Sequence, residues 1–475
     1  MRERPLRVAV VSGDGLPVSG ILTTLRNMLE EAIGRGLVGP SVPIDFGYSW
    51  RFDKPGFYPD GGRARYPSWL VPSASVPLGG TVAAGEELLA VRSAVARART
   101  SSAAQLAALE ARIERLTAPY EEHFTAWLAD TDPDYVLALN MTLSDAVPVT
   151  RALHNAARAR WGEGRPGGVV FWDHDLFGSY AVREGAERIY PAEPNPFTPL
   201  PREPFHRWVV VSPALQDEAS RYPTPVRPTY LPNLLPAERP LDEVEDRVAT
   251  FRDQLDVGPE RPVVLAPVRI FPVKGVERSI ALVDAMCTYA EERGVPKPCL
   301  LVFGALDEDP AYAAVLRRHV DDARHPEAFR LLDGVPLSSF QDERGSWRLD
   351  EVDLLRWCAQ SGGGVVFTPP VADVESVGLG PALAGLAGVP CATTPFAAFD
   401  DVYGPGYHRI LIAPGQGVRT AAAEFMEAIA GRRRGDAAVL AALRHNQRLV
   451  AERFPPEPWL RFLWDLVEDV RRSAQ

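Results

Sequence analysis

Arg269-Ile270-Phe271-Pro272-Val273-Lys274-Gly275 follows directly on an apolar run at 263–268. That run has the length and residue types of a buried parallel strand. The segment therefore puts two fixed positive charges at the carboxyl end of a strand, where open α/β sheets hold their ligands. Further on, Glu375-Ser376-Val377-Gly378 follows a second apolar strand, 364–367, and opens a helical stretch. A helix start offers unpaired N–H groups and the positive end of a dipole to an anion. Two cations, a carboxylate and a helix N-terminus suit a nucleotide-diphosphate sugar, with the cations on the phosphates and the carboxylate on sugar hydroxyls.

Working outward, the rhythm of strand and helix recurs over most of the 475 residues. In the first half, apolar strands at 7–12, 42–46, 135–140, 169–173, 208–212 and 228–231 alternate with helical stretches at 20–34, 104–128, 143–161 and 213–221. After a Pro-containing linker at 234–241 the alternation restarts. Strands at 263–268, 299–303, 329–332, 364–368 and 409–412 are separated by helices at 275–293, 310–322, 351–360 and 378–388, and a helix at 242–255 precedes them. Such alternation implies parallel βαβ units and doubly wound sheets. The expected organisation is a first domain over 1–234, a second over 242–440, and C-terminal helices over 441–475 that pack back toward the first. Residues 48–85 break the rhythm. They are rich in Pro and Gly and carry Tyr48, Trp50, Phe52, Phe57, Tyr58, Tyr66 and Trp69. This stretch reads as an insertion, either packed on the surface or acting as a lid over an acceptor.

Composition narrows the class. Hydrophobic residues make up 46% and charged residues 24%, as in soluble globular proteins. A net charge of −11 disfavours a nucleic-acid binder, whose surface must neutralise phosphates. The charged start and short first apolar run read as a first strand and not as a signal peptide. No run approaches the ~20 apolar residues of a membrane span. The four cysteines, Cys287, Cys299, Cys358 and Cys391, all sit in apolar segments without metal-ligand spacing. They read as core residues of a reduced, cytoplasmic protein.

Taken together, these motifs resemble the GT-B glycosyltransferases of the retaining family GT4. The R-x-x-x-x-K-G run of Arg269 to Gly275 and the Glu375-Ser-Val-Gly378 segment look like that family's phosphate-binding and donor motifs. Gly388-Val-Pro390 follows at the family's spacing. Tyr230-Leu-Pro-Asn233 and Phe303-Gly-Ala are similar to further conserved stretches of that family. In the first half, Gly13 to Gly20 sits where the family has its Gly-rich loop, and Trp172-Asp-His174-Asp where it has a strand-end His. The family's pattern also has a second Glu, which usually holds the nucleotide ribose; this chain has Leu383 there.

The resemblance implies a GT-B fold of two Rossmann-like domains facing a cleft. It implies a retaining, hexosyltransferase-type enzyme that moves a sugar from a nucleotide-diphosphate donor to a small-molecule acceptor. Arg269 and Lys274 would stabilise the leaving diphosphate, Glu375 would bind donor-sugar hydroxyls, and His174 would contact the sugar. Ser19, Gly20, Ser376, Val377, Gly378 and Leu379 would complete the donor site. No cofactor or metal is expected, the nucleotide sugar being a co-substrate. Asp173 and Asp175 form a D-x-D, but that pattern arises easily by chance. The alternatives are a catalytically idle GT-B partner subunit, favoured by Leu383, and a GT-B-fold sugar-nucleotide epimerase or hydrolase.

Overall fold

The computed structural model describes residues 4–12, 20–45, 66–72, 82–177, 183–184, 187–237, 242–370, 375–413 and 417–472. The first half is built on strands β1 (Val8–Ser12), β2 (Val42–Asp45), β3 (Leu70–Pro72), β4 (Tyr135–Leu139), β5 (Gly168–Asp173), a small hairpin of β6 (Arg183–Glu184) and β7 (Glu187–Arg188), then β8 (His206–Val210) and β9 (Pro228–Tyr230). Its helices are α1 (Gly20–Gly34), α2 (Val82–Ala96), α3 (Ala103–Thr131), α4 (Val147–Trp161) and α5 (Pro213–Ala219). The second half contains α6 (Asp242–Gln254), β10 (Val263–Ala266), α7 (Val276–Arg293), β11 (Cys299–Val302), α8 (Pro310–Asp321), β12 (Phe329–Leu331), the hairpin β13 (Phe340–Gln341) and β14 (Trp347–Arg348), α9 (Glu351–Gln360), β15 (Gly364–Phe367), α10 (Gly380–Ala387), β16 (Cys391–Thr393), α11 (Phe399–Tyr403) and β17 (Ile410–Leu411). It ends in α12 (Arg419–Arg434), α13 (Ala437–Arg453) and α14 (Glu457–Arg472).

Two parallel sheets result, in the orders β3-β2-β1-β4-β5-β8-β9 and β12-β11-β10-β15-β16-β17. Every pairing within them is parallel. Both orders double back, at β1/β4 in one and β10/β15 in the other, which makes them doubly wound. Their central strands are buried on both faces, so apolar residues run through β1, β4, β5, β10, β11 and β15 without alternation. The four cysteines are buried and unpaired, as their apolar neighbours imply.

The sequence pattern is least faithful between 48 and 85. Residues 46–65 and 73–81 lie outside the described residues. Between them, Leu70–Pro72 adds an edge strand parallel to β2, with Tyr66 and Leu70 buried. From Val82 the chain is already helical. The short β16 and the helices α11 to α13 were also not legible as separate elements. The donor-motif helix begins at Gly380, two residues later than its sequence suggests.

The last helix lies against the first sheet. Trp459 is fully buried, donates its indole N–H to the Pro232 carbonyl at 2.8 Å, and packs its ring 4.4 Å from that of Trp172. Arg207 on β8 pairs with Asp469 at 2.9 Å.

One glycine fixes the turn that carries both motif cations. Gly275 joins a short 3-10 turn, Pro272–Lys274, to α7 with φ of +60°. A Cβ there would lie 2.2 Å from the Thr368 carbonyl oxygen at the end of β15. In return Thr368 Oγ1 donates to the Gly275 carbonyl at 2.8 Å and contacts Ser279 Oγ at 2.7 Å. The β10–α7 turn is thereby clamped to the end of β15. Gly275→Ala should destabilise the protein by about 2–4 kcal/mol, combining left-handed strain with overpacking. Urea denaturation at neutral pH checks this; a loss under about 0.5 kcal/mol, the range of an ordinary surface change, would contradict the clamp.

Candidate active site at the meeting of the two sheets

A cavity of about 250 Å³ opens where the carboxyl ends of both sheets face each other. From the second half it is lined by Arg269, Lys274, Glu375, Ser376, Val377, Gly378 and Leu379, and from the first by Gly20 and His174. The residues singled out from separate sequence motifs thus share one space. Ser19 lies outside the described residues.

The electrostatics differ from a simple pair of open cations. Lys274 Nζ sits 2.6 Å from Glu375 Oε1, with both side chains largely covered. Arg269 Nε pairs with the fully buried Glu308, and its guanidinium lies 4.9 Å from the centre of the Phe271 ring. Each motif cation therefore has a carboxylate partner, and Glu375 is occupied by Lys274 and not simply presented to a sugar. Burying a charge without a partner is costly, so such pairing holds both cations in place inside a covered site.

The loop after β15 supplies backbone. Gly378 has φ of +64°, and a Cβ on it would come within 2.9 Å of the Phe367 and Phe396 rings. Tyr403 Oη donates to the Gly378 carbonyl at 2.6 Å, fixing the peptide just before α10. Leu383, on α10, is buried and forms part of the cavity wall.

The first-half wall is built at the end of β5. His174 N donates to Asn140 Oδ1 at 2.7 Å, and Asn140 Nδ2 donates to Asp175 Oδ2 at 3.3 Å. Asn140 ends β4 in the left-handed region, φ of 51°, which Asn tolerates better than most residues. Asp175 also receives Ser376 Oγ at 3.3 Å, so a hydrogen bond crosses between the two halves. Burial raises the Asp175 carboxyl above its ordinary range, opposed by Lys274 and reinforced by Glu375. Burial pushes the His174 imidazole down to about 3, and its Nε2 has no hydrogen-bond partner. His174 is therefore a neutral group at physiological pH, suited to polar contact and not to carrying charge.

Neither Asn140 nor Asp175 was singled out as a binding residue from sequence. Asp175 read only as half of a chance D-x-D. The D-x-D is divided by the fold. Asp173 is fully buried and accepts from Thr142 Oγ1 and Trp208 Nε1, both at 2.7 Å, while Asp175 lines the cavity. The two carboxylates do not share a chelating face. Among the described residues no group of three or more His, Cys, Asp or Glu could hold a metal ion. Nor is any described helix long and apolar enough to cross a membrane.

A carboxylate absent from the sequence reading also lines this cavity. Glu351 opens α9, and burial pushes its carboxyl up to about 7 against the pull of Arg26. Arg26 comes from α1 and is itself almost fully buried. Only the folded chain brings these two together, so no local signal could have revealed them.

Comparison with known proteins places this geometry. No protein-family model matches the chain, and no curated protein matches it. Solved structures do. Sucrose-phosphate synthase from Thermosynechococcus elongatus aligns with a TM-score of 0.53 at 15% identity, over 98% of this chain and 99% of that one. HepE (Alr3699) from Anabaena, solved in complex with UDP and glucose, aligns with a TM-score of 0.53 at 14% identity over 98% and 99%. An α,α-trehalose-phosphate synthase (UDP-forming) from Burkholderia vietnamiensis aligns with a TM-score of 0.53 at 14% identity over 100% and 99%. Full-length alignment with these glycosyltransferases gives the chain a GT-B fold: two Rossmann-like α/β domains facing a cleft.

Asp173 gives the site region a titration signature. Burial pushes its carboxyl up to about 7, against the hydrogen bonds from Thr142 and Trp208. Between about pH 4 and pH 7 the folded chain holds this proton and the unfolded chain does not. The carboxyl's stabilising contribution is thus present at low pH and is lost as pH rises toward 7. In Asp173→Asn that slope should vanish. The variant's stability relative to wild type should rise by about 1.4 kcal/mol per pH unit across the window. Urea denaturation of both proteins at several pH values reads it; parallel curves would show that Asp173 ionises normally.

Proposed function

We propose that this protein is a retaining glycosyltransferase that transfers a sugar from a nucleotide diphosphate to a small-molecule acceptor without a metal. The observation that carries the reading is the single cavity at the facing strand ends, which gathers Arg269, Lys274, the Glu375–Leu379 loop and His174. The donor is proposed to lie mainly on the second domain, with the acceptor approaching from the first. The GT-B neighbours support a UDP-sugar as the first donor to test: one was solved with UDP and glucose, and another is described as UDP-forming.

In this reading the diphosphate draws Lys274 from Glu375 while Arg269 stays held by Glu308. Glu375, released or shared, takes a sugar hydroxyl. His174, uncharged, contacts the sugar from the opposite wall. As the glycosidic bond breaks, negative charge grows on the departing phosphate, and the two cations stabilise it more than they stabilise the ground state. The acceptor attacks from the face the phosphate leaves, and that phosphate takes its proton, so configuration is retained. Closure of the cleft would keep water from the donor.

Leu383 favours a second reading, a GT-B subunit that has lost catalysis, because an apolar residue cannot hydrogen-bond a ribose.

A thermal-shift screen against UDP-, GDP-, ADP- and dTDP-sugars separates the two. A ligand at 100 times its dissociation constant adds about 2.7 kcal/mol. Stabilisation by one class supports the transferase; none by any class supports the idle subunit. With the donor known, Lys274→Ala and Arg269→Ala should each lower turnover about 10²- to 10³-fold, the effect of removing one preorganised charge-stabilising group. Near-normal turnover in both would refute the donor-site assignment. Turnover should also persist in excess EDTA; loss on chelation, restored by manganese, would refute the metal-free mechanism.

A further inference from the structure

Three carboxylates line the cavity: Asp175, Glu351 and Glu375. Two have hydrogen-bond partners there. Glu375 is taken by Lys274, and Asp175 by Asn140 and Ser376. Glu351 differs. Its buried Oε1 receives no hydrogen bond, and the nearest cation, Arg26 Nη2, stands 3.7 Å away. Arg26 cannot easily move closer, because Nη1 donates to the Leu337 carbonyl at 3.1 Å and Nη2 to Asn27 Oδ1 at 2.8 Å. Asn27 in turn donates to the Leu234 carbonyl at 2.8 Å. The arginine is held by these bonds, and it sets a fixed positive charge beside the carboxyl from across the domain boundary. Since Oε1 is buried, the 14% of the Glu351 side chain that remains exposed belongs to its other atoms, on the cavity side.

Topology says which part of a ligand would meet it. Lys274 and Glu375 sit at the ends of β10 and β15. Arg26 reaches Leu337, in the segment after β12, and Glu351 opens α9, which packs against β10 and α10. A diphosphate at Lys274 and Arg269 with its sugar at Glu375 and His174 leaves its nucleoside the rest of the cavity wall, where Phe303, Leu383 and Glu351 lie. The side chains of Phe303 and Leu383 offer no hydrogen bond. A vicinal diol carries two donors, and a carboxyl side chain has oxygen lone pairs to accept them.

Resting on the proposed function, we infer that Glu351, positioned by Arg26, is the carboxylate that accepts the ribose hydroxyls of the nucleotide, at a site where Leu383 supplies no polar group. Ribose recognition is then assembled from both domains. α1 of the first domain sets the carboxylate on α9 of the second, so nucleotide selectivity depends on the closed arrangement of the two.

Isothermal titration of the full chain with UDP, GDP, ADP and dTDP, each beside its 2′,3′-dideoxy counterpart, tests this. The wild type should bind the hydroxyl-bearing form of its preferred nucleotide about 10- to 100-fold more tightly than the dideoxy form, the range of charge-assisted hydrogen bonds. Glu351→Ala should erase that difference by weakening the natural nucleotide alone. The isosteric Glu351→Gln, which keeps the shape beside Arg26, should reduce it about tenfold and guards against a folding defect in the alanine variant. Undiminished discrimination in the folded Gln variant, or none in the wild type, overturns the assignment. An effect seen with the intact nucleotide sugar but not with the diphosphate would move Glu351 to the transferred sugar and also overturn it. Binding of none of the four diphosphates by the wild type would instead refute the function on which the inference rests.

Discussion

The contact of Lys274 with Glu375 holds the site together. These residues come from turns after different strands, β10 and β15, and their 2.6 Å approach depends on the peptide of Gly275 packing against Thr368. Around this pair the remaining polar groups fall into order. Ser376, next to Glu375, reaches Asp175; Asp175 is held by Asn140; and Asn140 also fixes the His174 peptide. A chain of short polar contacts thus runs from one sheet end to the other. Its members are mostly covered, where a hydrogen bond is electrostatically stronger than in water and an unmet one is more costly.

Charge balance in the cleft follows from the same arrangement. In a chain of net charge −11 the described motif cations of the cleft are each met by a carboxylate. Arg269 is neutralised by Glu308, Lys274 by Glu375, and Arg26 stands beside Glu351. The cations are preorganised by carboxylates and not by lysines scattered over a surface. Such a site trades raw attraction for position, which suits a ligand whose charge changes during reaction more than one that need only adhere.

How much of this the sequence disclosed depends on range. Parallel strands buried on both faces are continuous apolar runs, and β1, β4, β5, β10, β11 and β15 were therefore legible. So were the strand-end motifs, because the fold places ligand groups where such runs stop. The edge strand Leu70–Pro72 was hidden, since three residues in a Pro- and Gly-rich stretch carry no periodicity. Asn140 and Asp175 lay in plain view but had meaning only as partners of residues far along the chain. Arg26 looked like one more polar residue on α1, yet it is 1% exposed because the second half closes over it. Arg26 and Glu351 are separated by a whole domain in sequence, and no local pattern encodes their meeting. The start of α10 was misjudged by two residues because Gly378 has a left-handed backbone, which delays the helix to Gly380.

The packing of Trp459 on Trp172 has a consequence for the order in which the molecule can be made. Trp172 belongs to the strand that presents His174, and its cover arrives only with the final helix, after the entire second domain. At about 5–20 residues per second, a ribosome would leave that aromatic surface waiting for tens of seconds. During that interval the first sheet exists with an apolar flank open, beside the cavity wall that carries His174. The finished cleft is therefore among the last features to form, and a half-made chain does not yet have it.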